Sequence, residues 1–168
     1  MAANASLPQD RPNAAQRGMR RLIATQPVTW LMARTIHHID AAVLRLSGGR
    51  TTAAALFSGL PVLAVTTTGA KSGRPRTVPL VAVPDGERLI VIASNWGQAS
   101  HPAWYYNMKA NPQVTVGGRE GPAERHYVAR EVVGEERAAC WARAVAVYPG
   151  YRAYAARAGR EIPVLVLE

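Results

Sequence analysis

The hydrophobic positions of this chain change period along its length. Val28, Leu31, Met32, Ile36, Ile39, Val43 and Leu46 recur at intervals of three and four, the stripe of an amphipathic helix. Arg34, His38 and Arg45 fall on its opposite side, and Ser47-Gly48-Gly49 ends it. Beyond about residue 55 the apolar runs become short and strand-like, at 61–68, 76–84 and 88–94, with Asp85-Gly86 as a hairpin turn between the last two. Strands are also predicted near 112–117 and 123–132, separated by a Gly117-Gly118 turn region, and Ile162 to Leu167 closes the chain as an apolar strand. Helical spacing returns at 102–109, 135–147 and, more briefly, 149–157. Many short antiparallel strands with few helices predict a mainly β fold with α elements, a barrel or strongly bent sheet. The expected organisation is a disordered leader over 1–15, a basic amphipathic helix over 16–48, and one domain over 55–168.

Composition narrows the function. At 168 residues and 48% hydrophobic content the chain can bury one sizeable core. Its net charge of +9 favours anionic partners. Nucleic acid is not among them, because the arginines are scattered without interleaved aromatics. Cys140 is the only cysteine, so no intrachain disulfide can form and a reducing cytoplasm is the natural setting. Its spacing from Trp141 and Val145 predicts a buried apolar role. No metal site is expected, since the four histidines lack ligand spacing with that cysteine. No apolar run is long enough to span a membrane and no signal peptide is evident. The cations Arg17, Arg20 and Arg21 give the N-terminal helix two expected uses, packing on the domain or lying peripherally at the inner face of the cell membrane.

Three motifs carry candidate chemistry. Thr66-Thr67-Thr68-Gly69-Ala70-Lys71-Ser72-Gly73-Arg74-Pro75-Arg76 places hydroxyls, glycines and cations at a hairpin tip, which suits a phosphate or carboxylate. It is not a nucleoside-triphosphate loop, because the glycine before the lysine is missing and an extended segment follows. Ala93-Ser94-Asn95-Trp96-Gly97 follows an apolar strand and offers an aromatic wall with in-plane hydrogen-bonding groups for a flat ligand. In the helix after it, Trp104 and Met108 read first as packing residues. Tyr148, Tyr151 and Tyr154, at steps of three, form either a packing ridge or a pocket wall whose phenols donate to a developing oxyanion.

Together with His101-Pro102-Ala103-Trp104-Tyr105, Lys109-Ala110-Asn111-Pro112 and Ile162-Pro163-Val164, these motifs resemble the deazaflavin-dependent nitroreductases, the coenzyme F-420-dependent quinone reductases. The resemblance runs from about Leu60 to the C-terminus and implies a split β-barrel. It implies that Lys71, Ser72, Gly73 and Arg76, with Thr67, Thr68 and Gly69 beside them, hold the phosphate and oligoglutamate tail. The ring would lie against Ala93 to Gly97 and the Pro79-Leu80 strand, with His101 and Trp104 in the same set. Ser94, Tyr148, Tyr151 and Tyr154 are the expected catalytic donors in hydride transfer to a quinone or nitroaromatic acceptor. Leu80 to Val83 reads Leu-Val-Ala-Val where some relatives carry tyrosine, which favours quinones over nitroimidazoles. Flavin mononucleotide is the alternative cofactor, and a non-catalytic coenzyme carrier the alternative function.

Overall fold

The computed structural model describes residues 59–118 and 121–168; the leader and the amphipathic helix expected before residue 49 lie outside them. Six strands appear in chain order: β1 (Val62–Thr68), β2 (Pro75–Asp85), β3 (Arg88–Ile92), β4 (Gln113–Gly118), β5 (Gly121–Glu131) and β6 (Val164–Leu167). They close an antiparallel barrel in the order β1-β2-β3-β6-β5-β4, with β4 returning to β1. The helices are α1 (Ala103–Ala110), α2 (Gly134–Val147) and α3 (Gly150–Ala158).

Alternation along the strands sorts the apolar residues onto two faces. Val65, Ala82, Leu89, Val91, Val114, Val116, Ala129, Leu165 and Leu167 come from all six strands and form one cluster, the barrel lumen. Trp104 and Met108 of α1 belong to it and plug one end. The intervening residues Val83, Ile90, Ile92, Val164 and Val166 face outward and pack with Cys140, Ala144 and Val145 of α2 and with Tyr148, Tyr151 and Tyr154. β3 and β6 are therefore buried on both sides, which is why they read as unbroken apolar runs. Cys140 is buried, as its spacing predicts, and burial raises its thiol pKa.

The β2–β3 hairpin turns where expected, with Asp85 paired to Arg88 and Gly86 at φ 66°. Several boundaries differ from the sequence reading: β5 starts at Gly121 rather than at residue 123, and β6 starts at Val164 rather than at Ile162. β3 stops at Ile92 rather than at residue 94, because the chain there turns into left-handed backbone at Asn95 and Trp96. The Gly117-Gly118 pair is not a turn: β4 runs through it with a register shift, and Gly117 pairs with Ala64. A Cβ at Gly117 would meet Ala64 at an ordinary contact distance of 3.7 Å, so pairing with β1, and not a need for space, draws this glycine into the strand.

An ion-pair network ties the side of the barrel together. Arg88 bonds Asp85 and Glu136, Arg130 bonds Glu136 and Glu168, and Arg143 bonds Asp85. These contacts join the β2–β3 hairpin, β5, α2 and the last residue of the chain.

Candidate functional site

The basic hairpin between β1 and β2 is shaped from inside. The Gly69 amide donates to the Arg74 carbonyl at 2.9 Å and the Gly73 amide to the Gly69 carbonyl at 2.8 Å. Gly73 has φ 63°, and a Cβ on Gly69 would sit 2.6 Å from Ser72 Oγ and 3.2 Å from the Arg74 carbonyl. Both positions require glycine, one for its backbone angle and one for space. Thr67 is 1% exposed, and its hydroxyl donates to the Arg76 carbonyl at 3.2 Å. Asn107 of α1 closes the arrangement: Oδ1 accepts from the Ala70 amide at 3.0 Å, and Nδ2 donates to Thr67 Oγ1 at 3.0 Å. Thr67 thus shapes the loop from within, while Lys71, Ser72, Arg74 and Arg76 are exposed on its surface. Among the described residues none of these three cations has an ion-pair partner, whereas Arg88, Arg130, Arg137 and Arg143 each bond a carboxylate. This donor set, three unpaired cations around a glycine-shaped cradle, fits the phosphate and carboxylates of coenzyme F-420.

The second segment lies at the end of β3. Ala93 is fully buried and Ser94 nearly so, and the next three residues, Asn95, Trp96 and Gly97, have φ 46°, 58° and 75°. Two consecutive non-glycine residues in the left-handed region store strain, of order 1–3 kcal/mol each. The turn packs on α3. A Cβ on Gly97 would lie 3.0 Å from the Tyr154 backbone, the Trp96 ring meets the Tyr154 ring edge-on at 6.2 Å, and Arg157 Nη2 donates to the Trp96 carbonyl at 3.3 Å. Asn95 Nδ2 donates to the Ser100 carbonyl at 3.0 Å. Arg160, just after α3, donates to the carbonyls of Ala93, Ser94, Gln98 and Ser100 at 3.0–3.4 Å.

His101 precedes α1 with its ring 4.8 Å from that of Tyr105. Its Nδ1 is buried and has no hydrogen-bond partner among the described residues. Burial, reinforced by Arg160, holds its pKa below the usual histidine value, so the ring is neutral near pH 7. Pro79 and Leu80, adjacent on β2, face opposite ways: Leu80 packs on the lumen cluster and Pro79 points outward. Trp104 is a lumen residue, in line with the packing reading of its motif.

The three tyrosines are 3–5% exposed and form one cluster, with ring centroids 5.1–6.3 Å apart. The Tyr148 and Tyr154 hydroxyls bond each other at 2.9 Å. Desolvation pushes the Tyr151 and Tyr154 phenols well above their usual pKa, so both stay protonated. The structure therefore gathers most of the expected residues into two groups, a basic tip held by α1 and a strained turn backed by α3, and leaves Leu80 and Trp104 in the lumen cluster. Asn107 and Arg160 carry no expected role in the sequence reading. Their partners are mostly backbone groups dozens of positions away, and no spacing rule reports those.

Comparisons with known proteins bear on the family and the fold. The sequence profile of the F420H(2)-dependent quinone reductases matches residues 35–168. An F420H(2)-dependent quinone reductase of Mycobacterium tuberculosis is 36% identical over 118 residues, which span 64% of this chain and 72% of that protein. A solved F420-H2 dependent reductase, FDR-A, superposes with TM-score 0.59 at 44% identity, covering 64% of this chain and 94% of the other. A structure described as a domain-swapped dimer superposes with TM-score 0.61 at 37% identity, covering 85% of this chain and all of the other. With a family profile spanning most of its length and a barrel shared with a solved reductase, the chain belongs to the F420H(2)-dependent quinone reductase family.

Proposed function

We infer that the protein is an oxidoreductase that uses reduced coenzyme F-420 to reduce quinones. The observation that carries this reading at the site is the exposed trio Lys71, Arg74 and Arg76 on a glycine-shaped tip, without carboxylate partners among the described residues. When bound, the coenzyme supplies a hydride, because carbon replaces the flavin nitrogen that supports one-electron chemistry. The remaining work falls to the protein. Lys71, Ser72 and Arg76 hold the anionic end, with Thr68 at the root of the loop and Thr67 and Asn107 fixing its shape. The Ala93–Gly97 turn orients the ring, and the apolar wall of Trp96 excludes water there. A proton held on the Tyr154 phenol, beside Trp96, serves an oxygen that gains charge in the acceptor. Ser94 is the second candidate donor.

Mixing the protein with reduced F-420 and menadione, and following recovery of the oxidised coenzyme's visible absorbance, tests the reading. Rapid protein-dependent oxidation supports it; absence of coenzyme binding sinks it. A non-catalytic carrier is the second reading, favoured by the burial of the three tyrosines in a packed cluster. Tight binding with no oxidation of any quinone would select it. Reduction of nitroaromatics is a finer proposal, read by the same assay with a nitroimidazole as acceptor. Peripheral membrane contact through residues 16–48 is another, read by co-sedimentation with anionic lipid vesicles. Among the described residues no helix is long and apolar enough to cross a membrane.

A further inference from the structure

Arg160 stands out among the charged residues. Its guanidinium donates to five backbone carbonyls: Nε to Gln98, Nη1 to Glu161, and Nη2 to Ala93, Ser94 and Ser100. No carboxylate among the described residues pairs with it, and it is half-buried beside the aromatic rings of α1. A planar fork with five N–H groups suits this task, whereas an ammonium on a flexible stem cannot reach carbonyls on both sides of a turn. Four of the five carbonyls belong to the 93–100 segment, whose centre is the left-handed run Asn95-Trp96-Gly97. Strain of that kind persists only when the surroundings over-determine it. Asn95 and Arg157 each hold part of the turn, but Arg160 alone among the described residues grips it before and after the strained run.

We propose that Arg160 is a positioning residue, fixing the Ala93–Ser100 turn as a preformed wall for the deazaflavin ring through the geometry of its fork rather than through its charge. The proposal rests on the reading of this turn as the ring-contacting segment. It separates two halves of the site: Arg160 governs the ring, and the basic tip governs the anionic tail.

The test titrates two ligands by fluorescence, full-length coenzyme F-420 and its ring-and-ribityl fragment without phosphate or glutamates. Wild type, Arg160→Lys, Arg160→Gln and Arg76→Ala are compared well below each variant's melting temperature. Loss of the bonds that the fork makes on both sides of the turn should weaken both ligands by about tenfold or more in Arg160→Lys and Arg160→Gln alike. Arg76→Ala should weaken only the full coenzyme. Wild-type fragment affinity in Arg160→Lys with loss in Arg160→Gln would show that charge, not the fork, matters, and would overturn the proposal. So would a loss confined to the full coenzyme. If wild type binds neither ligand, the underlying cofactor reading falls and the proposal with it. Hydrogen exchange of the free protein gives a ligand-independent readout. The Gly97 and Gln98 amides, bonded to the Ser94 and Asn95 carbonyls, should exchange about tenfold faster in Arg160→Lys while β3 amides stay protected. Unchanged exchange there would also overturn it. Should the lysine variant fail to fold, Arg160→Gln carries both measurements, and wild-type fragment affinity or unchanged exchange in it would overturn the positioning role.

Discussion

Asn107 Oδ1 accepts a hydrogen bond from the Ala70 amide at 3.0 Å, so a residue 37 positions later in the chain closes the basic hairpin tip. The same carboxamide donates to Thr67 Oγ1, which is itself committed to the Arg76 carbonyl. One side chain thereby couples the helix that plugs the barrel to the loop that presents the cations.

Asn107→Leu removes both bonds and leaves the Thr67 hydroxyl and the Ala70 amide to rearrange. At about 0.5–1.5 kcal/mol per bond, coenzyme affinity should fall roughly tenfold through loss of loop shape. Asn107→Asp keeps the acceptor but loses the donor and adds negative charge near the cations, so its loss should be at least as large. Equilibrium titration checks both, and an unchanged dissociation constant in Asn107→Leu would show that the tip holds its shape unaided.

Arg76→Ala tests what the tip binds. If the exposed cations meet an oligoglutamate tail, the loss of affinity should grow with tail length and shrink in high salt. A loss independent of tail length would instead favour a cofactor with a single phosphate, such as flavin mononucleotide.

Two glycine substitutions separate space from backbone angle. Gly73→Ala meets no atom within 4 Å and suffers only the left-handed penalty at φ 63°, about 1–2 kcal/mol. Gly97→Ala faces a similar angle at φ 75° and in addition presses on the Tyr154 backbone at 3.0 Å. Denaturant unfolding should therefore rank Gly97→Ala as clearly the more destabilising, and equal losses would show that α3 yields to the turn.

Tyr154→Phe deletes the hydroxyl bonded to Tyr148 and keeps the ring beside Trp96. Stability should drop by about 1 kcal/mol. If the phenol also serves the acceptor, turnover with menadione falls about tenfold or more, with the Michaelis constant little changed. A stability loss at wild-type turnover would assign Tyr154 to packing.

The ion-pair network sets an acid limit. Glu136 and Glu168 have pKa values held below the usual carboxylate range, chiefly by hydrogen bonds from Arg130. A carboxyl depressed in the folded state contributes stability above its unfolded pKa, and that contribution is lost as pH falls through the folded value. Unfolding midpoints should therefore decline below about pH 4.5, starting at the unfolded carboxylate pKa. In Glu136→Gln the decline should be shallower, with a lower midpoint at neutral pH. Parallel pH curves for the two proteins would rule the network out as their cause.

The sequence determined most of the strands, the β2–β3 turn and the glycine-bounded hairpin tip, because those follow from local rules. Alternation marks a half-buried strand, continuous apolar runs mark β3 and β6, and glycines mark the tip at 69–73. Motif order from the hairpin tip to Tyr154 was enough to indicate the family. What the tertiary structure alone decided is how the motifs are held. Gly117-Gly118 reads locally as a turn, yet β1 draws it into a strand by pairing. The 3-residue spacing of Tyr148, Tyr151 and Tyr154 fits a ridge or a pocket wall equally; only the packing of α2 and α3 on the barrel buries the rings and joins two hydroxyls. Asn107 and Arg160 were invisible for the same reason. A side chain that bonds distant backbone groups leaves no periodicity, and its role exists only once the barrel has closed.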